Sequence, residues 1–499
     1  MKKITKMAAV CLLAAFLGGN VYSQSQTNAE LAKQMTGGAE NALSDSENDG
    51  KKHWFSAFGG MLIFNLGLAT WNRYVIGSGW AQTGPDEWNR FWERDLAWDD
   101  DWYWTNFVLH PYQGSLYYMS ARGSNLNVFE SLLVTTVGSA FWEYLCETNA
   151  PSKNDMIYTT LGAFSVGEMM YRLSLAADSK SRLAGFALNP MRLWTEFATG
   201  QKPQNPHGTI NELTFKVEAG TASSYTNILG SDSKVDMTNF DRNENYPVYG
   251  GFEVLAVYND PYTNDSNVPY SHFELKIHAD AGKGSGTGSD CNFKEFDEQV
   301  MYNIEIESNG MLWSRSPVFA DNIDTTLGFV MEYDFDWHSF YLISSLAPGL
   351  AIKQRVNFDT SRFEWQLHGA WIALGTADNY YLRRSLLTDY PDGTVRFYSY
   401  TTGAESVLKL KYATDKGSNV AFDFHGYAMY DFYNQLKDGA SVGWELIGKG
   451  TLSAEVAVSK SVLLGISDRL YAKRTFYKTE PDVFQILNSA SIYAKWKFR

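Results

Sequence analysis

One histidine and two glutamates carry a spacing from which chemistry could be built. His110 opens the segment His110-Pro111-Tyr112-Gln113-Gly114, while Glu143 and Glu147 stand four residues apart in an apolar stretch. On a helix that spacing crowds both carboxylates onto one face, where they repel unless something offsets their charge. Arg122, a protonated His110, a metal ion or exposure to water could each supply the offset. Two reactive readings follow. His110 with Glu143 or Glu147 could form a general base pair in a lipid-modifying hydrolase or acyl transferase facing a membrane. Alternatively, His110, Glu143 and Glu147 could hold a divalent cation. A third account needs no reaction: a buried polar network that fixes how helices pack. Arg122, Tyr117, Trp142 and Asp155 are the binding candidates around this set, with Arg122 placed to neutralise one glutamate.

These residues need helices to position them. Leu132 to Cys146 reads as one apolar helix carrying Glu143, with Glu147 following it. Pro151-Ser152-Lys153-Asn154-Asp155 reads as a helix start, with Ser152 as N-cap and Asp155 reaching back. Glu168 and Arg172, four apart, read as an ion pair on the helix that follows. Trp54 to Asn72 contains no charge, yet its Ser56, Gly59, Gly60, Asn65 and Thr70 make it only weakly apolar. It is expected as a packed or interfacial helix beside or inside a barrel. Trp98-Asp99-Asp100-Asp101-Trp102 combines acids and aromatics, either as a cation site or as a surface segment at the headgroups. No G-x-S-x-G, H-E-x-x-H, P-loop or dinucleotide fingerprint occurs in its required context.

Residues 54–200 resemble an uncharacterised family of Gram-negative envelope proteins, a domain of unknown function. The likeness rests on HPYQG (110–114), SAFWEYLCE (139–147) and PSKND (151–155). It implies a location and a module, not a reaction. More remotely, the order His, Glu-x-x-x-Glu, Asn-Asp before a glycine-rich helix is similar to VanZ-like membrane proteins.

After residue 208 the rhythm changes to strict two-residue alternation. Phe273, Leu275, Ile277, Ala279 and Ala281 alternate with Glu274, Lys276, His278 and Asp280. Period two puts one set on each face of a strand. About twelve segments do this: 209–220, 248–260, 269–281, 297–309, 325–337, 340–357, 361–375, 395–414, 418–433, 441–458, 459–477 and 484–498. Several are long enough to cross a bilayer at a tilt, which takes about 9–11 residues. Long polar loops on one side and short turns on the other follow the transmembrane-barrel pattern. The last strand alternates Ile492, Ala494, Trp496 and Phe498 with polar partners and resembles the end signal of outer-membrane barrels, although Arg499 follows the aromatic. His272, His278, His368 and His425 fall on the polar positions, as a wetted lumen requires.

The N-terminus reads as a signal peptide, with Lys2, Lys3 and Lys6 before an apolar run from Met7 to Leu17 and a cleavage point after Ser23. Cleavage removes Cys11 and leaves Cys146 and Cys291, which are expected as free thiols. The chain then divides into residues 1–23 (signal peptide), 24–50 (flexible leader), 51–200 (helical module) and 208–499 (outer-membrane β-barrel). The module holds ten of the sixteen tryptophans. Aromatics make up 15% of the 499 residues, and the net charge of −14 excludes a nucleic-acid partner. The expected fold is therefore membrane all-β: an antiparallel transmembrane barrel of about twelve strands after an α-helical module, in a Gram-negative outer membrane. The module is expected to plug the lumen or lie beneath it. Expected partners are outer-membrane lipid, the barrel assembly machinery and a small solute, with no cofactor. The expected role is a pore, transport or envelope organisation.

Overall fold

The computed structural model describes residues 51–90, 93–99, 101–201, 208–229, 245–283, 300–383, 397–433 and 441–498. The expected signal peptide, the leader, Asp100 and Cys291 lie outside the described residues. Cys146 is a buried free thiol.

Alternation in the sequence becomes twelve strands. They are β1 (Ile210–Leu229), β2 (Asn245–Tyr258), β3 (Phe273–Lys283), β4 (Val300–Arg315), β5 (Ile323–His338) and β6 (Leu342–Asn357). β7 (Ser361–Asp378), β8 (Tyr398–Thr414), β9 (Asn419–Tyr433), β10 (Val442–Ala457), β11 (Val462–Tyr477) and β12 (Asp482–Lys497) complete the set. Each pairs antiparallel with its sequence neighbour, and β1 closes the barrel against β12. Every alternating segment read from the sequence overlaps one strand.

The polar set of each strand faces in. Lys216, Glu253, Lys276, Glu305, Asp334, Lys409, Lys449 and Arg469 line the lumen. The four histidines expected on polar positions make inward contacts, His272 to Lys353, His278 to Glu218, His368 to Glu332 and His425 to Asp334, and His338 at the end of β5 also lines the lumen. The apolar set faces out, leaving Ile277, Leu350, Leu367, Leu446, Ile466 and Ile492 exposed. Aromatics flank this apolar band, with Phe215, Phe252 and Trp496 near one rim and Tyr430 and Trp444 near the other. Because the strand number is even, β1 begins and β12 ends on the same rim. That rim carries the short turns 358–360, 415–418 and 458–461, and the opposite rim carries most of the long connections.

The helices that position the candidate residues are α1 (Trp54–Trp71), α2 (His110–Gly123), α3 (Val128–Phe141), α4 (Lys153–Ile157) and α5 (Ala163–Asp178). Asn127 and Glu130 cap α3 reciprocally, each accepting the other's backbone N–H at 2.9 Å. Wide π turns extend the helices at four places: Asn72–Ile76 after α1, Thr105–Leu109 before α2, Trp142–Cys146 after α3, and Tyr158–Gly162 joining α4 to α5.

The module neither plugs the lumen nor sits beneath it. Tyr333, Phe335 and Trp337 alternate with the inward residues Glu332, Asp334 and Asp336, so they face out, and the module packs on them. Tyr333 donates to the Phe107 carbonyl, while Tyr103 stacks on Phe335 and Trp104 meets Trp337. Tyr158 donates to the Leu374 carbonyl at 3.0 Å, and Asn106 donates to the Tyr398 hydroxyl at 2.8 Å. Towards the short-turn rim, Tyr270 donates to Ser165 at 2.8 Å and Arg172 donates to the Pro269 carbonyl at 3.1 Å. The helices thus lie along the outside of the wall from rim to rim. The physical reason is that the lumen is already occupied by charged side chains, while this sector of the outer wall offers aromatic rings and hydroxyls.

Leu470 lies midway along β11 on the apolar face. Its replacement by arginine should cost about 2–4 kcal/mol, as a cation at a bilayer midplane does. Denaturant unfolding in lipid bilayers, read by the heat-modifiable gel shift, measures it.

Candidate functional site

Three of the π turns, Thr105–Leu109, Trp142–Cys146 and Tyr158–Gly162, surround the candidate residues His110, Glu143 and Asp155. Each inserts an extra residue into the helical ladder and re-aims the side chains around it. His110 follows the first turn, Glu143 lies in the second and Thr159 in the third. Gly114 lets α2 approach closely, since a Cβ there would meet the Thr159 carbonyl at 2.0 Å.

The result is a cluster of His110, Glu143 and Asp155, whose ligand-type atoms lie within 4.8 Å of one another. His110 Nε2 is 3.6 Å from Asp155 Oδ2, and its Nδ1 is 3.4 Å from the Thr159 hydroxyl. Glu143 accepts the Ser152 backbone N–H at 2.7 Å. Ser152 is the N-cap as expected, accepting the Asp155 N–H at 3.1 Å, but the Asp155 carboxylate turns to Asn154 and His110. Asp99 extends the network. It accepts from Asn154 at 3.1 Å and from Asn106 at 2.8 Å. Asn106 also reaches Tyr398, so the network runs from the helices to β8. His110, Glu143 and Asp155 are 5%, 1% and 2% exposed, so the cluster is sealed.

The other candidates fall elsewhere. Glu147 does not share a helical face with Glu143: it lies beyond the π turn in extended backbone and accepts from Trp142 Nε1 at 2.6 Å. Trp142 packs edge-on to Trp80. Arg122 does not neutralise Glu143 but binds Glu168 at 2.9 Å. Glu168 also holds Arg172 at 2.9 Å, the pair expected from spacing, and accepts from Tyr118. The Tyr117 hydroxyl meets Asn65 and Gln113, facing α1. Trp98 packs on Tyr400, Phe432 and Tyr433 near the far rim of the barrel wall, and Trp102 of the same segment is exposed.

A second site was not singled out from sequence. The lumen holds a cavity of about 680 Å³, lined from Glu212, Arg362, Asn419 and Lys497 at the short-turn rim inward to Tyr341 and Tyr471. Ion pairs cross it. Lys449 of β10 donates to Glu305, Glu307 and Asp336 on the opposite wall at 2.8–3.0 Å. Lys409 and Lys353 both reach Glu274 of β3. Towards the far rim the lumen is closed by Tyr341 stacked on Tyr471 at 3.9 Å, with Phe340 beside them. The inward charges were readable by their parity; which of them meet across the lumen was not.

Residues 95–191 match a domain of unknown function, DUF3943. The HPYQG, SAFWEYLCE and PSKND motifs and the whole sealed cluster fall inside that match. No curated protein matches the chain. Among solved structures, the COG4313 outer membrane channel from Pseudomonas putida F1 is similar at 10% identity and TM-score 0.30, covering 60% of this chain and 100% of that one. The outer membrane protease OmpT from Escherichia coli is similar at 7% identity and TM-score 0.25, covering 58% and 98%. A Pseudomonas aeruginosa FadL homologue is similar at 10% identity and TM-score 0.20, covering 58% and 91%.

Glu168→Gln removes the buried carboxylate that Arg122 and Arg172 share and should cost about 3–5 kcal/mol, measured by denaturant unfolding.

Proposed function

We propose that the chain is a non-enzymatic outer-membrane barrel whose helical module lies in the lipid against one sector of the wall. In this reading the lumen receives a small charged or zwitterionic solute from the periplasmic rim. The exposed apolar band, its aromatic borders and the even strand number support the location. The stretch Trp54–Ile76, long and apolar enough to cross a membrane, supports the place of the helices. Outer-membrane lipid is then the partner of both apolar surfaces. The barrel assembly machinery is the partner that would recognise β12, where Trp496 and Phe498 end the alternation. Export by residues 1–23 belongs to the same reading.

One observation carries the solute class: the cavity interleaves Lys and Arg with Glu and Asp on every side. A hydrophobic solute would strip water from those charges without replacing it, whereas an ion or zwitterion supplies counter-charges. The volume suits a small molecule, since ligand sites commonly span about 300–1,000 Å³. A hydrolase or acyl transferase using His110 with Glu143 or Glu147 needs an open face on His110, and the sealed cluster offers none. Its buried polar contacts suit a lock between helices and wall.

Planar-bilayer recording tests the closed lumen. The parent protein should carry no steady ionic current, and the double variant Tyr341→Ala with Tyr471→Ala should open one. A large ohmic current through the parent would overturn the closed-lumen reading.

A further inference from the structure

Asp334, Glu405 and His425 come from three different strands, β5, β8 and β9, and converge on the lumen side. Their ligand-type atoms lie within 4.8 Å of one another. Asp334 and His425 also line the cavity, so the spot is reachable from the short-turn rim. We propose that these three side chains bind a divalent transition-metal cation, with zinc as the representative ion.

Charge is the first argument. Asp334 accepts from the Tyr427 hydroxyl at 2.7 Å, and Glu405 accepts from Ser345 at 2.6 Å. Neither has a Lys or Arg ion pair among the described residues. The nearby cations are committed elsewhere: Lys449 to Glu305, Glu307 and Asp336, and Lys353 and Lys409 to Glu274. Among the described residues the only basic group against Asp334 is His425, which is shared with Glu307 and carries at most one charge, so Asp334 and Glu405 together are under-compensated, and a doubly charged ion matches them.

Unused ligand atoms are the second. Glu405 Oε1 and both ring nitrogens of His425 are buried without a hydrogen bond, and the two residues are only 3% and 7% exposed. His425 Nδ1 faces Asp334 at 3.6 Å, while Nε2 lies 3.7 Å from Glu307. That arrangement leaves one nitrogen for an ion and puts a carboxylate behind the other, where it orients a metal-bound imidazole. Bonds of about 2.1 Å to a tetrahedral ion place ligand atoms about 3.4 Å apart, so small side-chain rotations complete the site. Two carboxylates and one imidazole leave a fourth position for water or a solute.

The other clusters of this kind are less suited. At Glu218, His278 and Asp280 the Arg469 guanidinium already supplies the positive charge. His110, Glu143 and Asp155 are sealed and engaged by Thr159, Ser152 and Asn154.

The test uses refolded full-length protein, with the heat-modifiable gel shift as the folding check. Addition of Co²⁺ should produce visible absorption bands that saturate at one ion per chain and disappear on adding Zn²⁺. Zn²⁺ affinity from calorimetric titration should fall more than about tenfold in His425→Gln and again in Glu405→Gln, and stay unchanged in His278→Gln. No saturable binding by the folded parent, or equal affinity in a folded His425→Gln or Glu405→Gln variant, overturns the proposal. The outcome is independent of whether the lumen conducts.

Discussion

Every strand carries charge on its inner face, and a twelve-stranded barrel gives that charge only one place to go. The lumen is narrow enough for Lys449 to reach three carboxylates on the opposite wall and for Lys353 and Lys409 to meet on Glu274. Buried pairs of this type contribute little net stability, because desolvation offsets much of their attraction. Breaking one is expensive, however, so the network specifies which walls face each other. Register, strand number and the closed far rim all depend on these cross-lumen partners being in place.

The outer face meets a different demand. Where no helix covers the wall, the outward positions are mostly Leu, Ile, Val and aromatics. Where helices are the neighbour, polar contacts with specific partners join them to the wall: Tyr333 to the Phe107 carbonyl, Asn106 to the Tyr398 hydroxyl, and Tyr158 of the module to the Leu374 carbonyl. A polar group in an apolar medium needs a partner from the protein itself. The wall is therefore two surfaces in one, and the hydroxyls mark the boundary between them. The cluster of Asp99, His110, Glu143 and Asp155 continues that polar seam into the helices, which is why it is buried and fully engaged.

Much of this was legible in the sequence. Period-two alternation located all twelve strands, the inward histidines and the closing strand, because burial on one face leaves a direct trace in residue type. The helix starting at Ser152 and the Glu168–Arg172 pair were readable for the same reason: both rest on fixed local spacing. The site was legible only in part. Regular helical spacing put Glu143 and Glu147 together, and the π turn at Trp142–Cys146 separates them. Arg122 could be assigned to a carboxylate but not to the right one, since Glu143 and Glu168 are equally plausible by type. Asp99 was visible only as part of an acidic run. The side of the barrel on which the module sits is a long-range fact with no local signal. It required knowing which outward residues are Tyr333, Ser344 and Tyr398 and what they touch.

The placement of the helices also sets an order of events. Their docking partners lie far downstream in the chain: Tyr158 meets a residue 216 positions later, and Asn106 one 294 positions later. Contacts of such high sequence separation form late, since a long loop must close before they contribute. The helices are synthesised first, yet the wall that covers them does not exist until β8 has joined its neighbours. Their apolar surfaces must therefore be kept apart during that interval, until the wall arrives at the module that precedes it in the chain.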